Sequence, residues 1–212
     1  MSSKPAPTDK HHRRKERHRE TVAWVFGLVL TLSAFSLTDA RIRTGVDIAV
    51  ALAFFVPSFF FVLRIWMVIG ELFDLYPAQD NVFTEGIYLV LLQAALAPVF
   101  LRLLIVDDPQ LQRLGTHLFA LDFTGINGLL LFLWLRLLRR HPANLDWDEH
   151  DNATTRVIIG SALLGIFLAS FVLSYTHLSR FILAAVWSTA FIIPPLTQRI
   201  VRRFWPPAGG HG

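Results

Sequence analysis

The chain has 212 residues, 53% of them hydrophobic and 17% charged, with a mean hydropathy of +0.47. A soluble domain of this length would be less apolar and would alternate more, which excludes an ordinary water-soluble globule. The net charge is +4 and there is no cysteine, which removes disulfides, thiolate metal sites, iron–sulfur clusters and a cysteine nucleophile.

Residues 1–20 are Ser, Pro, Lys, Arg and His with almost nothing apolar to bury, and read as a disordered basic cytoplasmic tail. Its core, Lys10–Arg19, stops just before the first apolar stretch. Six such stretches follow, at 22–38, 46–70, 86–106, 117–138, 157–173 and 181–197. A bilayer core about 30 Å thick needs about 20 helical residues to cross it. The stretches meet that length, the shorter ones with their flanks. They are too continuous for the alternation of a membrane barrel. The fold class expected is therefore an all-α membrane protein, a six-transmembrane-helix bundle over residues 21–204, with a disordered tail at 205–212.

Lys and Arg in the connecting segments number 13 on the side of the N-terminus and 4 on the other. The positive-inside rule then places both termini in the cytoplasm. The same distribution accounts for the high pI without nucleic acid: the basic tail faces anionic lipid heads. No small-x-small cleavage site follows the first apolar run, so no signal peptide is expected.

Taken in order, the first stretch, Trp24–Leu37, carries no charge. Leu28, Thr31 and Phe35 recur at three- and four-residue spacings and share one helix face. That face has two readings. It lines a narrow pore, with apolar rings around a hydroxyl ring, or its small hydroxyl residues pack helices closely and bond back to their own backbone. The second stretch holds Pro57 and Arg64, and an acidic loop is expected at 71–85. The third holds Pro98 and, near its outer end, Arg102; the fourth holds Asp122 near its outer end and Arg136 near its inner one. A short connection joins these two spans, so Arg102 and Asp122 are expected to share a depth. They form a structural ion pair or, on the other reading, Asp122 is an ion-binding carboxylate. Arg64 and Arg136 are expected to snorkel to the headgroups. The 139–156 segment reads as the longest internal loop, and Pro194-Pro195 in the sixth stretch is expected to kink or stop its helix. Trp24, Trp66, Trp134 and Trp205 lie near expected span ends and read as interfacial anchors.

The chain has no HExxH, GxSxG, P-loop, CxxC or TVGYG-like filter, and the histidines lie mostly in loops and tails. No enzyme activity, metal or cofactor is expected. What remains is transport, sensing or scaffolding within a membrane.

The residues resemble the transmembrane protein 175 family of potassium-permeable channels, in its short prokaryotic form. Val25–Leu37 (VFGLVLTLSAFSL) is similar to that family's first-span run, with Thr31 on the family threonine and Arg17 on its motif arginine. Pro57-Ser58-Phe59, Val68-Ile69-Gly70, Leu96-Ala97-Pro98 and Arg139-Arg140-His141-Pro142 are similar to further family elements. The chain departs from the pattern at Thr21-Val22-Ala23, where the family has Phe-Ser-Asp, and at Glu71-Leu72-Phe73-Asp74, where it has a Trp…Asn-His-His cluster. The resemblance implies a cation-permeable channel in the plasma membrane of a prokaryote. It implies a homotetramer around the first spans, with Leu28 as the hydrophobic constriction, Thr31 as the adjacent hydroxyl layer and Phe35 as a bulky outer layer. The implied partners are membrane lipids and potassium or other monovalent cations. The alternative reading is a non-conducting membrane scaffold or accessory protein that retains the fold.

Overall fold

Four long helices dominate the computed structural model: α1 (Gly45–Leu75), α2 (Asn81–Ile105), α3 (Pro109–Arg140) and α4 (Trp147–Ser174). The structure describes residues 45–76, 80–106, 108–142 and 145–175, together with 20, 23, 24, 27, 31, 186, 187, 189 and 193–197. Among the described residues there is no strand. Three helices are long and apolar enough to cross a membrane, over Asn81–Leu104, Pro109–Arg140 and Trp147–Ser174. At about 1.5 Å per residue, helices of 25 to 32 residues run about 38–48 Å. That is longer than the hydrocarbon core, so their ends reach the headgroup region. The chain is an integral membrane protein by this measure. The six-span count, the cytoplasmic termini and the 1–20 and 205–212 tails rest largely on residues outside the described ones.

Local chemistry explains where the helices begin. Asp80, Asp108 and Asp146 each stand just ahead of a helix with extended backbone, and each accepts hydrogen bonds from the first turn. Phe83 N–H donates to Asp80 Oδ1 at 2.8 Å and Gln110 N–H to Asp108 Oδ1 at 2.8 Å. Pro109 follows Asp108 at the position where its missing donor costs nothing. At α4 the arrangement is reciprocal. Glu149 N–H donates to Asp146 Oδ1 (2.8 Å), and Asp146 N–H donates to Glu149 Oε2 (3.0 Å).

Two segments that read as loops are helical. α1 continues past Gly70 to Leu75 because Leu72 and Phe73 turn into the core, as does Tyr76 just beyond. α4 opens ten residues ahead of Val157, because the capping pair nucleates it and Ala153 and Thr155 are buried. Pro98 lies inside α2, which runs on to Ile105. Pro57 lies within α1, which runs on past it, and Pro194-Pro195 lie within helical residues 193–197.

α3 is the central element and packs along both α2 and α4. Glycines set how closely. A Cβ at Gly115 would fall 2.6 Å from Leu103 Cβ, one at Gly86 would fall 3.0 Å from Leu133 Cδ2, and one at Gly125 would overlap the Gln93 amide. On the other side Gly160 faces Leu131 and Gly128 faces Leu164. Partner numbers fall as α3 numbers rise in both sets, so α3 is antiparallel to each neighbour. Lipid tails are as apolar as leucine, so close backbone approach rather than water exclusion supplies the attraction. α1 meets the bundle through long side chains. The Phe61 ring lies 4.2 Å from Phe123 of α3 and 5.7 Å from Phe167 of α4, and Phe123 stacks on Phe167 at 5.3 Å. The opposite faces present Phe60, Met67, Leu92, Val99, Leu121, Leu168 and Val172 outward. Apolar residues on both the buried and the outward face are what a lipid-facing bundle requires.

Candidate functional site

The antiparallel packing brings the end of α1, the start of α2, the end of α3 and the start of α4 to one end of the bundle. Charged residues converge there. Arg136 of α3 pairs with Asp80, and Arg156 of α4 pairs with Glu71 of α1. Asp80 therefore serves two partners: Oδ1 caps α2 and Oδ2 receives the Arg136 guanidinium. Partial burial pushes the Asp80 carboxyl up, but the Phe83 N–H and Arg136 outweigh it and hold the group below its ordinary value. Tyr76 is fully buried between them, its ring 4.2 Å from Phe83 and edge-on to His141 at 5.6 Å. Burial pushes its phenol above the ordinary value, against the opposing charge of Arg136.

Next to this cluster is a cavity of about 40 Å³. It lies at the junction of α1, α3 and α4. Arg64, Arg156 and Asn127 give it polar wall, and Phe61, Ile65, Leu130, Trp134 and Leu163 give it much of the rest. Asn127 is itself tied to α3, its amide donating to Phe123 O at 2.8 Å. Arg64 feels the charges of both Arg156 and Glu71. Arg156 Nε and Glu71 Oε2 are buried and have no hydrogen-bond partner.

At the other end of the bundle, His117 Nδ1 and Ser174 Oγ lie 2.6 Å apart, and the His117 ring stacks on Tyr175 at 4.3 Å. Ser174 gives its only proton to Phe171 O (2.6 Å), so His117 carries a proton on Nδ1 and donates it to the hydroxyl. This contact fastens α3 to the end of α4.

The residues singled out from sequence distribute as follows. Leu28 and Phe35 lie outside the described residues. Thr31 is helical and exposed, and its hydroxyl donates to Gly27 O at 2.8 Å. Arg102 is exposed on α2, whereas Asp122 is 5% exposed on α3 with its Oδ2 lacking a hydrogen-bond partner. Arg136 pairs with Asp80, and its side chain is 10% exposed. Arg64 lines the internal cavity, and Trp134 is a buried core residue of its wall rather than an interfacial anchor, because α3 turns that face to α1 and α4. Sequence reading missed Glu71, Asp80 and Arg156 as partners. A local signal existed for one more residue, the Asp-x-x-Glu pattern at Asp146–Glu149; the ion pairs join residues 56 and 85 positions apart and leave no local trace. Among the described residues no group of three metal-ligating side chains comes together. No family model, curated protein or solved structure matches the chain.

Proposed function

We propose that this chain is a subunit of a cation-permeable channel, passing potassium or another monovalent cation through a pore lined by the first apolar stretch of four copies. The membrane in question is the plasma membrane of a prokaryote. One observation carries the reading. Glu20, Ala23, Trp24, Gly27 and Thr31 are helical, recur at three- and four-residue spacings, and are all exposed on the single chain. Leu28 and Phe35, outside the described residues, continue that spacing in the sequence. A helix without charge from Trp24 to Leu37, exposed at its hydroxyl-bearing Thr31, suits a wall that is completed only by further copies. The similarity of Val25–Leu37 to a known pore helix supports the same assignment. Conduction down a gradient needs no nucleophile or acid–base pair, so the lack of catalytic motifs is no obstacle.

Purified protein reconstituted in liposomes is the test. Wild type passes potassium in a flux assay, and Leu28→Ala raises flux or loosens selectivity by opening the constriction. Equal flux in wild type and Leu28→Ala would remove this pore face. A second reading, a non-conducting membrane scaffold or accessory protein, is favoured by the Thr31 hydroxyl bonding back to Gly27 O. A hydroxyl satisfied within its own helix has less call on a passing ion. That reading requires no flux from wild type and a partner that co-purifies.

A further inference from the structure

The cavity between α1, α3 and α4 has an unbalanced charge. Two guanidinium groups, Arg64 and Arg156, line it, and among the described residues the one carboxylate beside them, Glu71, is engaged by Arg156. Among the described residues Arg64 makes no ion pair of its own; Arg156 repels it, and Glu71, which attracts it, is shared. A buried donor, Arg156 Nε–H, has no acceptor. A partly buried guanidinium among apolar side chains carries a desolvation cost that an accompanying opposite charge offsets. An unmatched buried N–H adds its own desolvation penalty.

We propose that this cavity is a binding site for a small monovalent anion of the chloride class, held by Arg64 and Arg156. Size decides between ligands. A water needs at least about 10–15 Å³ on the scale by which this cavity has about 40 Å³. That accommodates one monatomic anion with a companion water. It leaves no room for acyl chains, so an anionic lipid does not fit within the wall. The ion supplies both things the wall lacks: a negative charge for Arg64 and an acceptor for Arg156 Nε–H. Entry is available along the charged edge, since the Arg156 and Glu71 side chains are 15% and 30% exposed. The bound ion would add to the Glu71–Arg156 pair in tying α1 to α3 and α4 near the charged end. This site is independent of whether the first apolar stretch forms a pore.

The test uses full-length protein in detergent, with sodium chloride exchanged for sodium gluconate at constant ionic strength. Chloride raises the melting temperature with a saturable dependence, whereas gluconate, too large for the cavity, does not. Trp134 in the wall gives a second readout. Bromide or iodide produces a saturable quenching component in wild type that is absent from Trp134→Phe, on top of the linear collisional quenching of exposed tryptophans. Arg64→Gln abolishes both dependences and melts in gluconate close to wild type. Should Arg64→Gln fail to fold, the wild type and Trp134→Phe titrations decide alone. Identical melting in chloride and gluconate, or quenching that is linear and unchanged by Trp134→Phe, would mean the cavity holds only water and would overturn the proposal. Saturable stabilisation by inorganic phosphate or by anionic lipid in place of chloride would also overturn it.

Discussion

Asp80 offers the sharpest separation of two physical effects in one side chain. Its Oδ1 caps α2 through Phe83 N–H, and its Oδ2 holds Arg136, whose side chain is only 10% exposed. Asp80→Asn keeps an oxygen for the cap and removes the charge. Asp80→Ala removes both. Losing an N-cap costs about 1 kcal/mol. Leaving Arg136 without its carboxylate costs about 1–3 kcal/mol, below the full figure for a buried pair because Asp80 itself is more than a third exposed. Asp80→Asn should therefore lose about 1–3 kcal/mol, and Asp80→Ala about 1 kcal/mol more. The double variant Asp80→Asn/Arg136→Met should recover part of the Asp80→Asn loss, because no charge is then left buried and unmatched. Reversible unfolding in mixed micelles, followed by far-UV circular dichroism, measures all four proteins. pH supplies an internal check. The Asp80 carboxyl lies below its ordinary value in the folded protein, so its contribution is complete above about pH 4 and disappears as pH falls through the folded value. Asp80→Asn should lack that acid-dependent step. Asn and Ala variants of equal stability, with the acid step still present in both, would refute the double role.

Two further outcomes follow from packing and capping. Gly115→Ala should destabilise by about 1–3 kcal/mol, since its methyl would press on Leu103 Cβ and on the backbone of α2. Gly165→Ala is the matched control: it is exposed on α4 with nothing within 4 Å, and should gain up to about 1 kcal/mol from helix propensity. Paired denaturation curves distinguish them. Asp146→Ala removes the side-chain half of the α4 capping box and leaves the Glu149 N–H without its acceptor, while the backbone N–H at 146 still reaches the Glu149 carboxylate; the cost is about 1–2 kcal/mol, and amide exchange should accelerate across 147–151 first.

Much of the helix inventory was legible in the chain. Apolar runs longer than a bilayer is thick leave the backbone no option but helix, because every N–H and C=O must be satisfied within the segment. The second, fourth and fifth apolar stretches thus lie inside α1, α3 and α4, and the third ends one residue past α2. The ends were less legible. Composition marks Glu71–Leu75 and Trp147–Arg156 as polar. Yet Leu72 and Phe73 find a core to enter, and Asp146 with Glu149 makes a local start signal stronger than the acidic character around it. The pore-face residues Leu28 and Phe35 are a sequence argument alone, and Thr31 adds an exposed position and a satisfied hydroxyl to it.

By itself the sequence determined a chain of helices apolar enough for a membrane, and it placed the helix caps, which operate within a few residues of themselves. Only the tertiary structure decided which faces meet. In a chain apolar on nearly all sides, hydropathy does not distinguish the surface that touches protein from the one that touches lipid; steric fit at Gly86, Gly115, Gly125 and Gly160 does. That fit sets the antiparallel registers, and the registers in turn bring Arg136 to Asp80, Arg156 to Glu71, and Arg64 and Trp134 to a common cavity. Charge pairing over such separations depends on three-dimensional distance, which spacing along the chain does not encode.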